Sequence, residues 1–99
     1  MNQKFQRTYL VVLSFICLFA FAQGKQVSGI VKDTSGEPVI GANVIVKGTT
    51  NGTITGIDGD FTLSNMKKSD VIVFTFIGYK AEEVKYNGQS SVNVTLQDD

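Results

Sequence analysis

Residues 71–79 read VIVFTFIGY and form the most apolar stretch of the chain beyond residue 22. Only Thr75 and Gly78 fall outside the hydrophobic set, and β-branched and aromatic side chains dominate, as they do in strands. Neither face of such a strand is polar, so we expect Val71–Tyr79 to be a central strand that is buried from two sides. The residues around this stretch must therefore supply the layers that cover it.

Short apolar runs lie on both sides of this stretch, separated by clusters of Gly, Asn, Asp and Ser. Apolar and polar residues alternate in these runs, and no helical periodicity occurs from residue 23 to residue 99. The predicted strand segments are Gln26–Asp33, Val39–Ile40, Val44–Gly48 beyond a bulge at Gly41, Phe61–Leu63, Ala81–Tyr86 and Val92–Leu96.

The alternation predicts which side chains enter the core. Side chains at every second position of two segments are expected to face inward, namely Phe61, Leu63, Val92, Val94 and Leu96. Their neighbours are expected to face solvent, namely Thr62, Ser64, Asn93, Thr95 and Gln97. Charged residues mark Ala81–Tyr86 as an edge strand, namely Glu82, Glu83 and Lys85.

Three pairs of an Asn or Asp followed by Gly provide turn signals. Asn51-Gly52 and Asp58-Gly59 precede the Phe61–Leu63 segment, and Asn87-Gly88 follows Ala81–Tyr86. Asn87-Gly88 is the strongest hairpin signal, and we expect it to join Ala81–Tyr86 directly to Val92–Leu96. Short strands with these turns predict an all-β fold, a small seven-stranded Greek-key β-sandwich.

Residues 1–22 have the pattern of a cleavable signal peptide. Lys4 and Arg7 make the start basic, and the 14 residues of Tyr9–Ala22 contain only Ser14 outside the apolar set. This run is shorter than the ~20 residues of a membrane-spanning helix, which disfavours an uncleaved anchor. Ala20-Phe21-Ala22 supplies the small-x-small cleavage pattern. We therefore expect an exported protein with a signal peptide at 1–22 and one domain at 23–99.

The composition of residues 23–99 excludes several kinds of chemistry. This segment has no His, Trp or Cys, since Cys17 lies in the leader. Zinc and haem sites, thiol nucleophiles and His bases are therefore excluded from the domain, and disulfides cannot stabilise it. Seven lysines face nine acidic residues, and a net charge near −2 does not favour nucleic acid or an anionic membrane as partner.

The remaining candidates for a chemical site have simpler explanations. Asp58-Gly59-Asp60 lacks the sixth-position Gly and twelfth-position Glu of a calcium loop, so a turn is expected there. Glu82 and Glu83 are adjacent and should point to opposite faces of a strand. Ser64 and Lys67 match a bare Ser-x-x-Lys pattern, but Lys67 begins a polar turn at 67–70. We therefore predict a non-enzyme without catalytic, cofactor-binding or metal-binding residues.

Five ordered motifs resemble a known family. The first two are Val27–Asp33 and Gly36–Val44, and the others are Val46–Thr53, Asp58–Leu63 and Phe76–Tyr79. Together they are similar to the carboxypeptidase-regulatory-like, transthyretin-like domain. A series of this kind directly after a signal peptide resembles the N-terminal extension of SusC/RagA-type TonB-linked outer-membrane proteins of Bacteroidota. The resemblance covers nearly all of residues 26–97 and implies a prealbumin-like sandwich.

The resemblance implies a non-catalytic interaction or regulatory domain of an outer-membrane receptor that takes up glycans or peptides. Protein partners would belong to the uptake machinery, on the periplasmic side of the outer membrane. In the family, an energy-coupling segment, a plug and a barrel follow this domain, and none occurs here. We therefore expect either a fragment of a longer receptor, truncated before plug and barrel, or a stand-alone periplasmic module.

A second hypothesis is a free secreted sandwich that binds carbohydrate or an adhesion partner. Such a protein would need an exposed aromatic platform. Most aromatic residues of the domain lie in strand patterns and are expected in the core, namely Phe61, Phe74, Phe76 and Tyr79. Tyr86, beside the Asn87-Gly88 turn, is the candidate for an exposed aromatic.

Overall fold

The computed structural model describes residues 25–99, so the predicted signal peptide lies outside the described residues. Within residues 25–99 there is no helix that is long and apolar enough to cross a membrane. Seven strands form, namely β1 (Lys25–Asp33), β2 (Asn43–Val46), β3 (Gly52–Ile54), β4 (Asp60–Met66), β5 (Val71–Thr75), β6 (Glu82–Lys85) and β7 (Val94–Leu96).

The strands form two sheets, which confirms the predicted seven-stranded all-β fold. One sheet has three strands in the order β4-β1-β7, and the other has four in the order β3-β2-β5-β6. All pairs are antiparallel except β1 with β7, which are parallel. The chain passes from one sheet to the other after β1, β3, β4 and β6.

The core lies between the two sheets and is filled by alternate residues of each strand. Phe61 of β4 meets Phe74 of β5 edge to face, with ring centroids 5.3 Å apart and an interplanar angle of 71°. This pair joins the sheets and contributes about 0.5–1.5 kcal/mol beyond its buried area. All five residues predicted to face inward are buried, and all five neighbours predicted to face solvent are exposed. The alternation predicted from the sequence is therefore confirmed.

The VIVFTFIGY stretch forms a central strand, as predicted, but with two corrections. β5 lies between β2 and β6, and Ile72 and Phe74 are fully buried on its inner face. Val71 and Val73 are only half-buried, because no layer of the described chain covers the outer face. The strand also ends at Thr75, and residues 76–79 form a turn. The prediction was therefore wrong about the second face and about the last four residues.

The predicted Asn87-Gly88 hairpin does not form. β6 lies in the four-stranded sheet, whereas β7 lies in the other sheet and pairs in parallel with β1. Residues 86–93 are a connecting loop in which Gln89 accepts a hydrogen bond from the Asn87 amide. The alternation of Val92–Leu96 is the same for any pairing partner, so it could not reveal which sheet β7 joins.

Two other turn predictions need correction. The turn between β2 and β3 lies at Lys47–Thr50, where the Thr49 amide donates to the Val46 carbonyl, 3.1 Å away. Gly52 therefore does not form a turn but begins β3, a strand that was not predicted. Val39–Ile40 is not a strand, and Gly41 lies in a turn before β2 rather than in a bulge within a strand.

The three-stranded sheet depends on the close approach of two backbone segments at Gly29. The Val92 amide donates to the Ser28 carbonyl over 2.9 Å, and the Ser28 amide donates to Ser90 over 3.1 Å. A Cβ atom placed on Gly29 would overlap the Val92 carbonyl oxygen and would lie 3.1 Å from Cε1 of Phe61. Only glycine permits this approach, which brings β7 into register beside β1.

We expect Gly29→Ala to destabilise the protein by more than about 4 kcal/mol, because the methyl group pushes residues 90–92 away from β1. Ser28→Ala is the matched control, since its exposed hydroxyl should change stability by less than about 0.5 kcal/mol. Urea-induced unfolding followed by circular dichroism measures both variants. Equal unfolding midpoints for Gly29→Ala and the wild type would contradict the role of this close approach.

Candidate interaction surface

The outer face of the four-stranded sheet is apolar along its centre. Ile45 of β2 and Ile54 of β3 are 42% and 62% exposed, and the half-buried Val73 of β5 pairs with Ile45. Strand alternation forces these side chains outward, because Val44 and Val46 occupy the inner positions of β2. Ile45, Ile54 and Val73 are referred to below as the outer apolar face.

A groove of about 580 Å³ lies on this face. It exists because Gly52, which pairs with Ile45, carries no side chain. A Cβ atom on Gly52 would lie 2.9 Å from Cγ1 of Ile45 and would fill part of the groove. Apolar and polar side chains share the lining, which consists of Asn43, Ile45, Thr49, Thr50, Gly52, Thr53 and Ile54. The groove therefore offers a partner both apolar area and hydrogen-bonding groups.

A second exposed apolar cluster lies at one end of the sandwich and is named here the apolar tip. It comprises Ile40, Ile57, Phe76 and Ile77, which are 54%, 78%, 37% and 94% exposed. The three loops that carry these residues all lie where β2 begins and where β3 and β5 end.

Hydrogen bonds hold the loops of the apolar tip together. The buried Thr55 hydroxyl donates to the Val39 carbonyl at 2.6 Å and accepts from the Ala42 amide at 2.9 Å. The Gly41 amide donates to the Thr55 carbonyl at 3.0 Å. These bonds join the loop before β2 to the loop after β3, so they hold the backbone segments that carry Ile40 and Ile57 against each other.

Tight turns explain why two isoleucines of the tip point into solvent. The Tyr79 amide donates to the Phe76 carbonyl at 3.1 Å, and Gly78 has a φ of 89°. This is a β-turn with Ile77 at its first corner and Gly in the position that requires positive φ. Ile57 has the same corner position in the turn that the Gly59 amide closes on Gly56. A corner side chain projects away from the chain and cannot reach the core.

Charges are separated along the strand direction. Seven of the nine acidic residues lie at the same end as the apolar tip, namely Asp33, Glu37, Asp58, Asp60, Glu82, Asp98 and Asp99. Five of the seven described lysines lie at the opposite end, namely Lys25, Lys47, Lys67, Lys68 and Lys85. The small net charge therefore hides an acidic end and a basic end.

One acidic group at the acidic end has a shifted pKa. The Asp33 carboxylate accepts bonds from the Ser35 hydroxyl at 2.6 Å, the Ser35 amide at 2.9 Å and the Glu37 amide at 3.0 Å. The Ser35 hydroxyl is the largest cause that lowers the pKa of Asp33 below its ordinary 3.8, because these donors stabilise the charged form.

The structure places several of the residues that were weighed as chemical candidates. Glu82 is half-buried and Glu83 is exposed, where it lies 3.4 Å from the Lys47 amine. The Ser64 hydroxyl accepts from Gln26 at 3.5 Å. No cluster of three or more His, Cys, Asp or Glu residues that could hold a metal ion occurs in residues 25–99.

Tyr86 is not the exposed aromatic that the sequence suggested. It is only 2% exposed and belongs to the core, because the loop of residues 86–93 turns its first residue inward. Phe76 was expected in the core and instead lies on the surface beside Tyr79, with ring centroids 6.0 Å apart. Within residues 25–99, the exposed aromatic is therefore Phe76, at the apolar tip.

Both apolar surfaces were missed by sequence reasoning. The outer apolar face could not be found, because Val71–Tyr79 was expected to be covered on both sides. A signal for the tip was present, since Ile57 and Ile77 stand directly before Asp-Gly and Gly. An apolar residue at that position of a tight turn is forced to a corner.

Comparison with known proteins places this sandwich in a defined group. Residues 27–99 match the family model of the CarboxypepD_reg-like domain. TonB-dependent receptor SusC of Bacteroides thetaiotaomicron is 57% identical over 90 residues, which are 91% of this chain and 9% of that receptor. TonB-dependent receptor P3 of Formosa agariphila is 31% identical over 99% of this chain and 10% of its own length. The chain thus spans about a tenth of these receptors.

A solved structure shares the fold at low identity. It is a type II cohesin-X-dockerin complex from Acetivibrio cellulolyticus, with a TM-score of 0.62 and 19% identity. The match covers 76% of this chain and 58% of the matched chain. At this identity the likeness concerns the fold alone.

We expect the double variant Ile45→Thr/Ile54→Thr to change stability by less than about 0.5 kcal/mol per site, because both side chains are exposed and threonine keeps the strand preference. Phe74→Ala, in contrast, should cost about 3–5 kcal/mol because it leaves a core cavity. Urea unfolding compares the variants. A large loss in the double variant would show that the outer apolar face serves folding rather than contact.

We expect Asp33→Asn to lower the melting temperature at neutral pH and to have no effect in strong acid. A lowered folded-state pKa stabilises the protein above the ordinary value of 3.8, and this contribution disappears as pH falls through the folded-state pKa. Ser35→Ala removes the hydroxyl that lowers the pKa of Asp33 most, and it should lower the melting temperature at neutral pH by a smaller amount. Melting curves between neutral and acidic pH measure the difference in melting temperature between each variant and the wild type. A difference that does not depend on pH would contradict the role of the Asp33 carboxylate.

Proposed function

The chain belongs to the CarboxypepD_reg-like domain family, in the form that SusC-type TonB-dependent receptors carry, and we propose that it acts as a non-catalytic interaction domain of such a receptor. The proposed receptor takes up a nutrient, a glycan or a peptide, through the outer membrane. The proposed domain occupies residues 23–99 on the periplasmic side, after cleavage of a signal peptide at 1–22. The single observation that carries the proposal is the 57% identity with SusC over 91% of this chain.

Physical features of the surface support a role in protein contact. The outer apolar face offers isoleucine side chains beside threonine and asparagine groups in one groove. A protein strand or helix that covered this face would bury Ile45 and Ile54 and would gain about 25 cal/mol for each Å² of apolar area. The proposed mechanism is therefore contact of this face with a protein of the uptake machinery.

Other observations support a role without catalysis. The relatives are named as receptors, and the family as regulatory-like. The groove lining contains threonine and asparagine but no charged side chain. General acid–base chemistry needs a group that can change protonation state near neutral pH, and these amide and hydroxyl groups do not.

The carbohydrate alternative has less support in the structure. Tyr86 is buried, and the groove on the outer apolar face has no aromatic side chain among its lining residues. Among residues 25–99, an aromatic platform for sugar binding would have to use Phe76 and the half-buried Tyr79 beside it.

Fractionation of native cells tests whether the domain is part of a receptor. An antibody against residues 25–99 should detect a band much larger than the domain in the outer-membrane fraction. A single band of domain size, released with the periplasm, would contradict the proposal and would favour a free secreted module.

Growth of cells tests whether the outer apolar face contributes to uptake. Deletion of the gene first identifies, from a panel of glycans and peptides, a nutrient on which growth then fails. We expect Ile45→Thr/Ile54→Thr at the native locus to slow growth on that nutrient, at an unchanged receptor level in the outer membrane. Ile30→Thr, which alters an exposed isoleucine on the other sheet, is the matched control. Normal growth of the double variant would contradict a role for this face.

A further inference from the structure

We infer that the apolar tip is a docking surface for the polypeptide that follows residue 99 in the same receptor. The inference rests on the proposed function, since it requires the domain to be part of a longer chain. It concerns a different surface from the outer apolar face. The occupant is a surface of the receptor itself, apolar at its centre and basic at its rim.

The apolar tip presents projecting side chains of the kind that anchor protein contacts. Ile77 is 94% exposed at the corner of a closed β-turn, and Phe76 beside it is 37% exposed. A Cβ atom on Gly41 would lie 3.8 Å from Cε1 of Phe76, so the ring lies next to the loop that carries Ile40. Rigid aliphatic and aromatic side chains that enter a pocket of the partner dominate binding energies at protein interfaces.

The path of the chain brings residue 99 directly to this tip. The Lys80 amide donates to the Gln97 carbonyl at 2.8 Å, and the Asp99 amide donates to the Gly78 carbonyl at 3.1 Å. Residue 99 is thus hydrogen-bonded inside the turn that exposes Ile77. Lys25, in contrast, pairs with Met66 at the opposite end of the sandwich.

The short connection through residue 99 favours the receptor's own chain as the occupant of the apolar tip. The polypeptide that continues from residue 99 in a receptor starts beside the tip, so its effective concentration there is in the millimolar range for a short flexible linker. A separate protein at micromolar concentration would need a contact about a thousand times tighter to compete. Proximity therefore favours the receptor's own chain over a partner in trans.

The acidic residues near the apolar tip indicate that the docking partner is basic at its rim. The apolar tip lies at the acidic end, where carboxylates such as those of Glu37, Asp58 and Asp99 outnumber the two lysines, Lys32 and Lys80. A basic rim on the partner would complement these carboxylates. A second copy of this domain would present the same acidic end, and like charges would oppose a symmetric contact through the tips. The charge distribution therefore disfavours self-association through this surface.

Site-specific photo-crosslinking in the full-length receptor tests the inference. A benzophenone amino acid replaces Ile77, and a specific protease site is inserted directly after residue 99. After irradiation of cells and cleavage, the domain should remain attached to the downstream part, as an antibody against residues 25–99 reports. The same probe at Lys68, a turn corner at the basic end, is the matched control and should release the domain.

Variants test whether the tip residues cause the contact. Ile40→Ser should reduce the crosslink from position 77 by about tenfold, because loss of an anchoring side chain costs about 1.4 kcal/mol or more. Ile30→Ser, which alters an exposed isoleucine of the three-stranded sheet outside both apolar surfaces, should leave the crosslink unchanged. Resistance of the domain to a second protease establishes that both variants are folded.

The outcomes separate this inference from the proposed function. Release of the domain after cleavage, or a crosslink from position 77 to a different protein, overturns the docking inference while the large receptor band remains. Absence of any band larger than the domain overturns the proposed function instead. An equal crosslink from positions 68 and 77 also overturns the inference, since it would show no preference for the apolar tip.

Discussion

The contact between the backbones of β1 and residues 90–92 at Gly29 is the constraint on which the sandwich depends. It brings the last strand beside the first and completes the three-stranded sheet. Without β7, the inner residues Val94 and Leu96 would leave the core cluster to which the aromatic pair of Phe61 and Phe74 also belongs. A domain of this size buries only about 60–65% of its unfolded-chain surface, so it has little stability to lose.

Sequence patterns predicted the local structure well and the long-range pairing poorly. The period of two in Phe61–Leu63 and Val92–Leu96 depends only on which side faces the core, so the inward residues could be identified. The partner of a strand depends on the route of the connecting loop. Residues 86–93 cross between the sheets, which an Asn-Gly pair does not reveal. The strand β3 was missed because it has only three residues and begins with glycine.

For the candidate surfaces too, some properties could be predicted from the sequence and others could not. Composition alone excluded histidine and cysteine chemistry from residues 23–99, because the absence of a residue type needs no structural knowledge. The apolar surfaces could not be found in that way, since sequence reasoning places apolar residues in the core by default. Ile45 and Val73 are exposed to different degrees on one uncovered face, and only the sheet order shows that nothing in residues 25–99 covers it.

The parallel pairing of β1 with β7 also has a mechanical consequence. β1 begins at one end of the sandwich, and the chain after β7 leaves from the other, so the two exits point in opposite directions. A pull between residues 25 and 99 would stretch the pairs from Val31–Val94 to Asp33–Leu96 in shear, so that their hydrogen bonds resist together rather than one after another. The first and last strands thus form the part of the sandwich that is most resistant to force applied between its two ends.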